Sequence, residues 1–125
     1  MHEIILYKDK KGNEPIREYI KALAAKTDKD SRIKLTKIQD CLKALLKYGK
    51  ALGEPHIKHL DGEIWELRPL RDRVLFAAWE GNGFILLHHF IKTTQKTPRR
   101  EIEQAKRNLT NYRERHNGQK EGEQT

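Results

Sequence analysis

The first half of the chain predicts one strand followed by two helices. Residues 3–7 read Glu-Ile-Ile-Leu-Tyr, which is typical of a short strand. Two later runs space their apolar residues as one face of a helix requires: Ile16, Tyr19, Ile20, Leu23 and Ala24, then Ile38, Cys41, Leu42, Leu45 and Leu46. Pro15 suits a first helical position, Thr27 or Asp28 can cap the second helix, and Gly49 ends it. We expect an antiparallel pair of helices.

From residue 63 onward the apolar spacing shortens to the alternation of a β-strand. Residues 65–68 alternate apolar and polar side chains until Pro69, and further strands are predicted over 73–79 and 84–91. Residues 80–83, Glu-Gly-Asn-Gly, indicate a tight hairpin between these two strands, because the Asn-Gly pair tolerates the positive φ angles of a tight turn.

The C-terminal part predicts one more helix and a tail. Thr97 and Pro98 form a cap and first-turn pair, and the apolar stripe that follows is Ile102, Ala105, Leu109 and Tyr112. Residues 117–125 lack apolar side chains, which predicts a disordered tail. We therefore expect an α+β domain over 1–116 in the order βααβββα, with a three-stranded antiparallel meander joined at its edge by the first strand.

Composition favours one domain in a reducing compartment. The chain has 125 residues, 35% of them charged, and its single cysteine, Cys41, allows no intrachain disulfide. No basic segment at Met1 leads into an apolar run, so no signal peptide is expected. The longest apolar-rich stretch, 84–91, is too short to span a bilayer. These features predict a cytoplasmic protein without membrane contact.

Positive charge is concentrated in two segments. Lys and Arg number 26 against 18 Asp and Glu, which gives a formal net charge of +8. Segments 26–50 and 92–115 each contain eight basic and three acidic residues. Two basic helices beside a near-neutral sheet favour a polyanionic partner, because a concentrated positive field accelerates association. Solvated helix faces account for the same charges about equally well.

Several common active sites find no support in the sequence. No glycine-rich phosphate loop occurs, and Ser31, the only serine, lies on a predicted helix rather than in a nucleophile elbow. The histidine pairs at 56/59 and 88/89 lack the spacing of two metal ligands on one helix, and adjacent strand residues point to opposite faces. We expect neither a metal nor another cofactor.

A cluster of cations on the predicted sheet is the best candidate for chemistry. Arg68 lies on the Glu66 face of its strand, Arg73 opens the next strand, and Lys92 follows the third. Strand pairing brings these positions together, and such a group can hold a phosphate and stabilise the charge that develops in phosphoryl transfer. The residues expected to contact a nucleic-acid backbone around this group are Lys58, Arg71, Lys96 and Arg99.

RNA suits this cluster because its 2′-OH is a built-in nucleophile, so cleavage requires alignment, charge stabilisation and proton movement but no metal. His88, on the same strand as Lys92, is a candidate for acid–base catalysis because imidazole titrates near neutrality. Structural roles also stay open: Arg68 can pair with Glu66 or Asp72, and His88 can be a hydrogen-bonded strand histidine. Glu66 can act as a general base or, more readily, orient an arginine.

Four stretches of the chain resemble a family of bacterial toxins. Residues 64–79 read IWELRPLRDRVLFAAW and residues 86–115 read LLHHFIKTTQKTPRREIEQAKRNLTNYRER. With YKDKKGNEPIREYI at 7–20 and LLKYGKALGEPHIKHLDG at 45–62, they resemble the HigB toxins of the phage-derived Gp49-like group, in the RelE superfamily. The resemblance implies the RelE-like fold, with helices on one side of a twisted antiparallel sheet.

The same resemblance implies a function and partners. It implies a ribosome-dependent endoribonuclease that cuts mRNA in the decoding site of the bacterial ribosome, inhibits translation and arrests growth. It also implies a cognate HigA-like antitoxin with a helix-turn-helix, which neutralises the toxin and links it indirectly to operator DNA.

The resemblance extends to individual residues of the cation cluster. Arg73 matches the arginine that opens the R-V-L strand, Arg68 matches that of E-L-R, and Lys92 and Lys96 match the K-x-x-Q-K-T-P run. Many relatives carry two lysines where this chain has Lys92-Thr93, so the group that moves the proton stays unassigned.

The alternative hypothesis is a non-catalytic basic module that binds RNA or DNA in a regulatory complex. Cations that converge on a concave face favour the nuclease, and cations scattered over convex helices favour the module.

Overall fold

A computed structural model describes residues 2–124 of the chain, and the side chains of residues 2–116. Its elements follow in the order β1 (Ile4–Leu6), α1 (Pro15–Ala25), α2 (Lys29–Tyr48), β2 (Ile57–Asp61), β3 (Ile64–Leu67), β4 (Asp72–Trp79), β5 (Gly83–Ile91) and α3 (Arg99–Gln124). A short 3-10 helix, Gly49–Leu52, follows α2. The side chains of residues 117–125 lie outside the described part of the chain, so the disordered tail expected there stays a prediction. No helix in the described part of the chain is both long enough and apolar enough to cross a bilayer.

The sheet has five strands in the order β1-β5-β4-β3-β2, and only the pairing of β1 with β5 is parallel. The predicted α+β class, the meander and the first strand at its edge are confirmed. The prediction missed β2, so the meander has four strands rather than three. A register shift between His59 and Asp61 breaks the alternation of apolar residues in this edge strand. The apolar residues of β2 therefore do not recur at every second position, as they do in a regular strand.

Helices cover both faces of the sheet, although the resemblance implied helices on one side only. Helices α1 and α2 pack on one face, where Ile16 and Leu45 meet Phe76 and Leu86. Helix α3 packs on the opposite face, where the core residues are Ile64, Leu75, Ala77, Ile85, Leu87, Ala105 and Leu109. Strands β4 and β5 lie between these two cores, and most of their side chains are buried on both faces.

Local signals at the helix ends are partly confirmed. Pro15 occupies the first position of α1, and Asp28 rather than Thr27 caps α2, because its carboxylate accepts from the backbone N–H of Ser31. The assignment of Thr97 as the cap of α3 is wrong. Its hydroxyl donates instead to the carboxylate of Glu66, on β3.

The hairpin between β4 and β5 forms within the predicted residues 80–83, but the Asn-Gly pair does not supply its left-handed residues. The positive φ angles occur at Glu80 (26°) and Gly81 (61°) rather than at Asn82-Gly83. Gly83 pairs with Trp79, and an added Cβ at Gly83 would lie only 2.7 Å from the Trp79 carbonyl oxygen. Glycine is needed at 83 for close approach of the backbone, not for a left-handed conformation.

Candidate functional site

The face of the sheet that carries α3 is only partly covered. Leu75, on β4, lies opposite Glu66 of β3 and His88 of β5, and these positions share one face. Beyond the first turn of α3, the same face continues to the strand ends, where Arg73 and Lys92 lie. The sequence therefore places the cations on the part of the sheet that α3 leaves open.

Glu66 lies at the base of this part of the face. It is almost fully buried, with 1% of its surface exposed. The hydroxyl of Thr97 donates to its Oε2. Its other oxygen, Oε1, lies 3.5 Å from Nε of Arg68 and 3.8 Å from Nε of Arg73. Of the two carboxylates that the sequence left open as partners of Arg68, the structure shows Glu66, and this one buried carboxylate faces two guanidinium groups.

Arg73 is also nearly buried, with 8% of its surface exposed. Its Nη1 donates to the carbonyl oxygens of Leu70 at 2.6 Å and of Asp72 at 2.9 Å. In the described part of the chain its Nε has no hydrogen-bond acceptor. Burial lowers the pKa of Arg73, while the charge of Glu66 raises it and that of Arg68 lowers it. The guanidinium therefore lies in the floor of the site and keeps unused donor capacity.

Lys92 lies just past the end of β5, close to the same carboxylate. Burial lowers the pKa of its ammonium below the usual 10.5, and the charge of Glu66 opposes this effect. The positive charges of Arg73, Arg68 and Lys58 lower the pKa further. A lysine in a positive field releases its proton more readily than a solvated one, which suits it to proton transfer.

A cleft of about 250 Å³ opens above Glu66. Arg68 and Lys92 line it together with Lys58 of β2 and Lys96 of the β5–α3 connection. These four cations and the buried Arg73 outnumber the single carboxylate, so the cleft attracts anions. We refer to Lys58, Glu66, Arg68, Arg73, Lys92 and Lys96 as the cation cluster.

The structure does not bring every predicted site residue into this cleft. His88 lies beneath α3, where its Nε2 is 3.1 Å from Oε1 of Glu101, and it does not line the cleft. Arg99 is exposed and forms ion pairs with Asp61 at 2.8 Å and Glu103 at 3.0 Å. Arg71 is exposed on the turn that precedes β4. Its backbone carbonyl accepts from the N–H of Lys92 at 2.8 Å.

Sequence reasoning missed a second polar group on the other face of the sheet. Asp72 is 1% exposed, and its Oδ1 accepts from the hydroxyl of Tyr19 at 2.8 Å and lies 3.0 Å from Nε2 of His89. Lys34 lies 3.7 Å from the same oxygen. Tyr19 occurs in an apolar stripe and Asp72 beside a turn, so no local signal identifies this group. Its members meet only through the packing of α1 and α2 on the sheet.

The described residues contain no group of three or more His, Cys, Asp or Glu side chains that is placed to hold a metal ion. The polar side chains that line the cleft are its four cations, the buried carboxylate of Glu66, the hydroxyl of Thr97, the imidazole of His59 and the amide of Gln95. This set can bind a phosphodiester, neutralise developing negative charge and move a proton through Lys92.

Comparison with known proteins assigns the chain to a family. The model of the family described as phage derived protein Gp49-like (DUF891) matches residues 18–110, which include the whole cation cluster. A search of curated proteins finds no significant match. Because the family model covers well over half of the sequence, the chain belongs to the phage-derived Gp49-like family.

Proposed function

We propose that this protein is a HigB-like toxin of the RelE superfamily, a metal-independent endoribonuclease that cleaves mRNA on the ribosome. The observation that carries the proposal is the convergence of Arg68, Lys92, Lys58 and Lys96 on one cleft above a nearly buried Arg73. A non-catalytic binding module has no need to place several cations around one buried carboxylate, because charges on a convex surface bind a polyanion equally well.

The proposed reaction is an internal transfer at one phosphodiester. The 2′-oxygen of the nucleotide attacks the adjacent phosphorus, the bond from phosphorus to the 5′-oxygen breaks, and the products end in a 2′,3′-cyclic phosphate and a 5′-hydroxyl. Negative charge grows on the phosphoryl oxygens in the transition state. Arg68 and Lys92 flank the cleft and stabilise this charge, and Arg73 adds its field from below.

Proton transfer is assigned to Lys92 rather than to His88. The 2′-hydroxyl loses a proton and the departing 5′-oxygen gains one. Lys92 has a lowered pKa and lines the cleft, so it is placed to protonate the leaving oxygen. His88 is engaged with Glu101 beneath α3. Glu66 keeps the two arginines oriented. Because Glu66 is buried, the proton of the 2′-hydroxyl passes to solvent water rather than to this carboxylate.

The ribosome is the proposed site of action, and α2 is the proposed docking surface. Arg32, Lys37 and Lys43 are exposed on this helix, and no described carboxylate lies within ion-pair distance of them. Such a surface fits the phosphates of ribosomal RNA. A cognate HigA-like antitoxin with a helix-turn-helix is the proposed inhibitor, and it accounts for an indirect contact with operator DNA.

Site-specific cleavage of a translated message tests this function. Purified protein is added to programmed ribosomes, and breaks are mapped by primer extension with analysis of the RNA ends. We expect cuts within codons that leave cyclic phosphates, and naked RNA should remain intact. Arg68→Gln and Lys92→Gln should each slow cleavage by about a hundredfold or more.

The matched control for these variants is Arg107→Gln. Arg107 is an exposed arginine of α3, and its hydrogen-bond partner among the described residues is Gln104, so its replacement should leave cleavage unchanged. Folded Arg68→Gln and Lys92→Gln proteins that cut as fast as wild type would refute the assignment of the cleft. Equal cutting of naked RNA would refute ribosome dependence, and tight RNA binding without any cleavage would favour the non-catalytic module.

A further inference from the structure

The turn that joins β3 to β4, residues 68–71, is held from both faces of the sheet. On the cleft side, Arg73 donates to the carbonyl oxygen of Leu70, within the turn. On the opposite side, the carboxylate of Asp72 reaches toward α1 and α2. Because adjacent strand residues point to opposite faces, Asp72 and Arg73 anchor the same backbone in opposite directions.

The turn needs such anchoring because part of its backbone is unfavourable. Leu70 has a φ of 56°, in the left-handed region that side-chain-bearing residues rarely occupy. Its side chain is about half exposed, at 51%, so core packing does not hold it in place. The backbone N–H of Asp72 donates to the Pro69 carbonyl at 3.0 Å, and the N–H of Lys92 donates to that of Arg71 at 2.8 Å. The start of β4 is thus tied to both the turn and Lys92.

Asp72 is the endpoint of a compact group on the helix side. The rings of Tyr19 and His89 stack with their centroids 3.8 Å apart, and both side chains meet the same oxygen of Asp72. Lys34 of α2 lies near that oxygen and 5.6 Å from the centre of the Tyr19 ring. Hydrogen bonds to charged groups are stronger than those between neutral groups, and a buried carboxylate with several partners has one preferred position.

We propose that Asp72, His89 and Tyr19 form a positioning network for the cation cluster. From the face opposite the cleft, the network holds the 68–71 turn and the start of β4, and it thereby sets where Arg68 and Arg73 present their guanidinium groups. The inference rests on the proposed function for its consequence in catalysis, but the placement of the two arginines is measurable without any cleavage. None of the three residues lines the cleft, so they act through the arginines.

The network matters because the cation cluster tolerates little displacement. Nη1 of Arg73 donates to its two acceptors at 2.6 and 2.9 Å, and only 8% of the Arg73 surface is exposed. A misplacement of about 1 Å in a positioning group can slow an enzyme by about a hundredfold. Loss of the network should therefore reduce the rate of the chemical step more than it reduces the affinity for RNA.

The test uses the variants Tyr19→Phe, His89→Gln and Asp72→Asn, with Tyr7→Phe as the matched control. Tyr7 is a buried tyrosine whose hydroxyl donates to Asn111 of α3, away from the turn. Three properties are measured for each folded protein. They are the single-turnover cleavage rate on programmed ribosomes, the Kd for a message with a 2′-deoxy substitution at the cut site, and the NMR signals of the arginine Nε–H groups.

We expect Tyr19→Phe and His89→Gln to slow cleavage about tenfold or more, to change Kd less than twofold and to shift the Arg68 or Arg73 signals. Tyr7→Phe should change none of these. In a background that carries both Arg68→Gln and Arg73→Ala, Asp72→Asn should cause little further loss of rate, because its effect passes through these two arginines. Unshifted arginine signals in all three folded variants would overturn the inference. A wild-type protein that does not cleave would refute the proposed function, and the NMR signals would still decide whether the network positions the arginines.

Discussion

Helices α2 and α3 lie in segments of equal net charge, but the fold uses their cations differently. On α3, Lys106 lies 2.7 Å from Asp61 and Arg113 donates to Glu63 at 2.8 Å. These two carboxylates belong to the β2–β3 hairpin, so the basic residues of α3 attach the helix to the sheet. The exposed cations of α2 have no such partners among the described residues.

The difference shows that net charge along a sequence does not identify a binding surface. Three of the six described Lys and Arg side chains of α3 (Arg99, Lys106 and Arg113) pair with carboxylates, whereas the exposed cations of α2 remain available to a partner. The cation cluster is a third case, because its positive charges are crowded together and share one buried carboxylate. Exposed pairs, unpaired cations and a buried cluster should therefore respond differently to the loss of a single charge.

The largest effect is expected where the pair is buried. Replacement Glu66→Ala removes the carboxylate that faces two guanidinium groups, and it leaves the buried Arg73 uncompensated. We expect the free energy of unfolding to fall by about 3 kcal/mol, the scale for breaking a buried pair. Urea denaturation of the purified protein measures this change.

The double variant Glu66→Leu with Arg73→Leu is the control for this prediction. Replacement of both partners by apolar residues should recover most of the loss, because no isolated charge then remains buried. A Glu66→Ala protein as stable as wild type would mean that the cleft cations are solvated like those of α2. The cluster would then lose its distinction from an ordinary basic surface.

The next effect concerns the unpaired cations of α2. The double variant Arg32→Gln with Lys37→Gln should weaken ribosome binding about tenfold or more at physiological salt and reduce the slope of its salt dependence by roughly two. Lys106→Gln with Arg113→Gln, which removes two cations from α3, should change binding much less. Sedimentation with ribosomes over a range of salt concentrations measures both. Equal losses from the two helices would contradict the comparison.

Much of the fold follows from patterns that are local in sequence. Strands β3, β4 and β5 and all three helices were predicted because their side chains reach the core with a regular period. Strand β2 was missed because its bulge at His59 disrupts that period. The hairpin was predicted, but its left-handed residues were not, since Gly83 is required for close approach instead.

The candidate site was only partly predictable, because it depends on register between distant segments. Strand parity correctly placed Arg68 on the Glu66 face, but it gave no measure of the burial of Arg73. The local sequence at Thr97 is typical of a helix cap. Its hydroxyl donates instead to Glu66, which lies 31 residues away in the sequence. The partners of Asp72 are likewise contributed by separate elements, and no single stretch of sequence contains them.

A smaller effect is expected for the exposed pairs of α3. Loss of Lys106 and Arg113 together should lower the free energy of unfolding by about 0.5–1 kcal/mol, because exposed ion pairs contribute little each. Added salt should reduce the difference from wild type. The α2 double variant should be as stable as wild type or slightly more stable, since it relieves repulsion. Urea denaturation at two salt concentrations tests the contrast, and a larger loss in the α2 variant would reverse it.

The smallest expected effect is a difference between the α3 and α2 double variants in how their stability depends on pH. The Arg113 guanidinium lowers the pKa of Glu63 below the usual 4.5, and Lys106, followed by Arg99, lowers that of Asp61 below 3.8. A carboxyl group whose pKa is depressed in the folded state stabilises the protein above its unfolded pKa, and this contribution is lost as pH falls through the folded value.

The difference in the free energy of unfolding between wild type and the α3 double variant should therefore be full at pH 7 and shrink below about pH 4. The corresponding difference in the free energy of unfolding for the α2 double variant should not decrease at low pH, because Arg32 and Lys37 form no ion pair with a described carboxylate. Urea titrations at pH 7, 5 and 3 measure both differences, and a constant difference for α3 across this range would mean that its cations do not depend on their carboxylate partners.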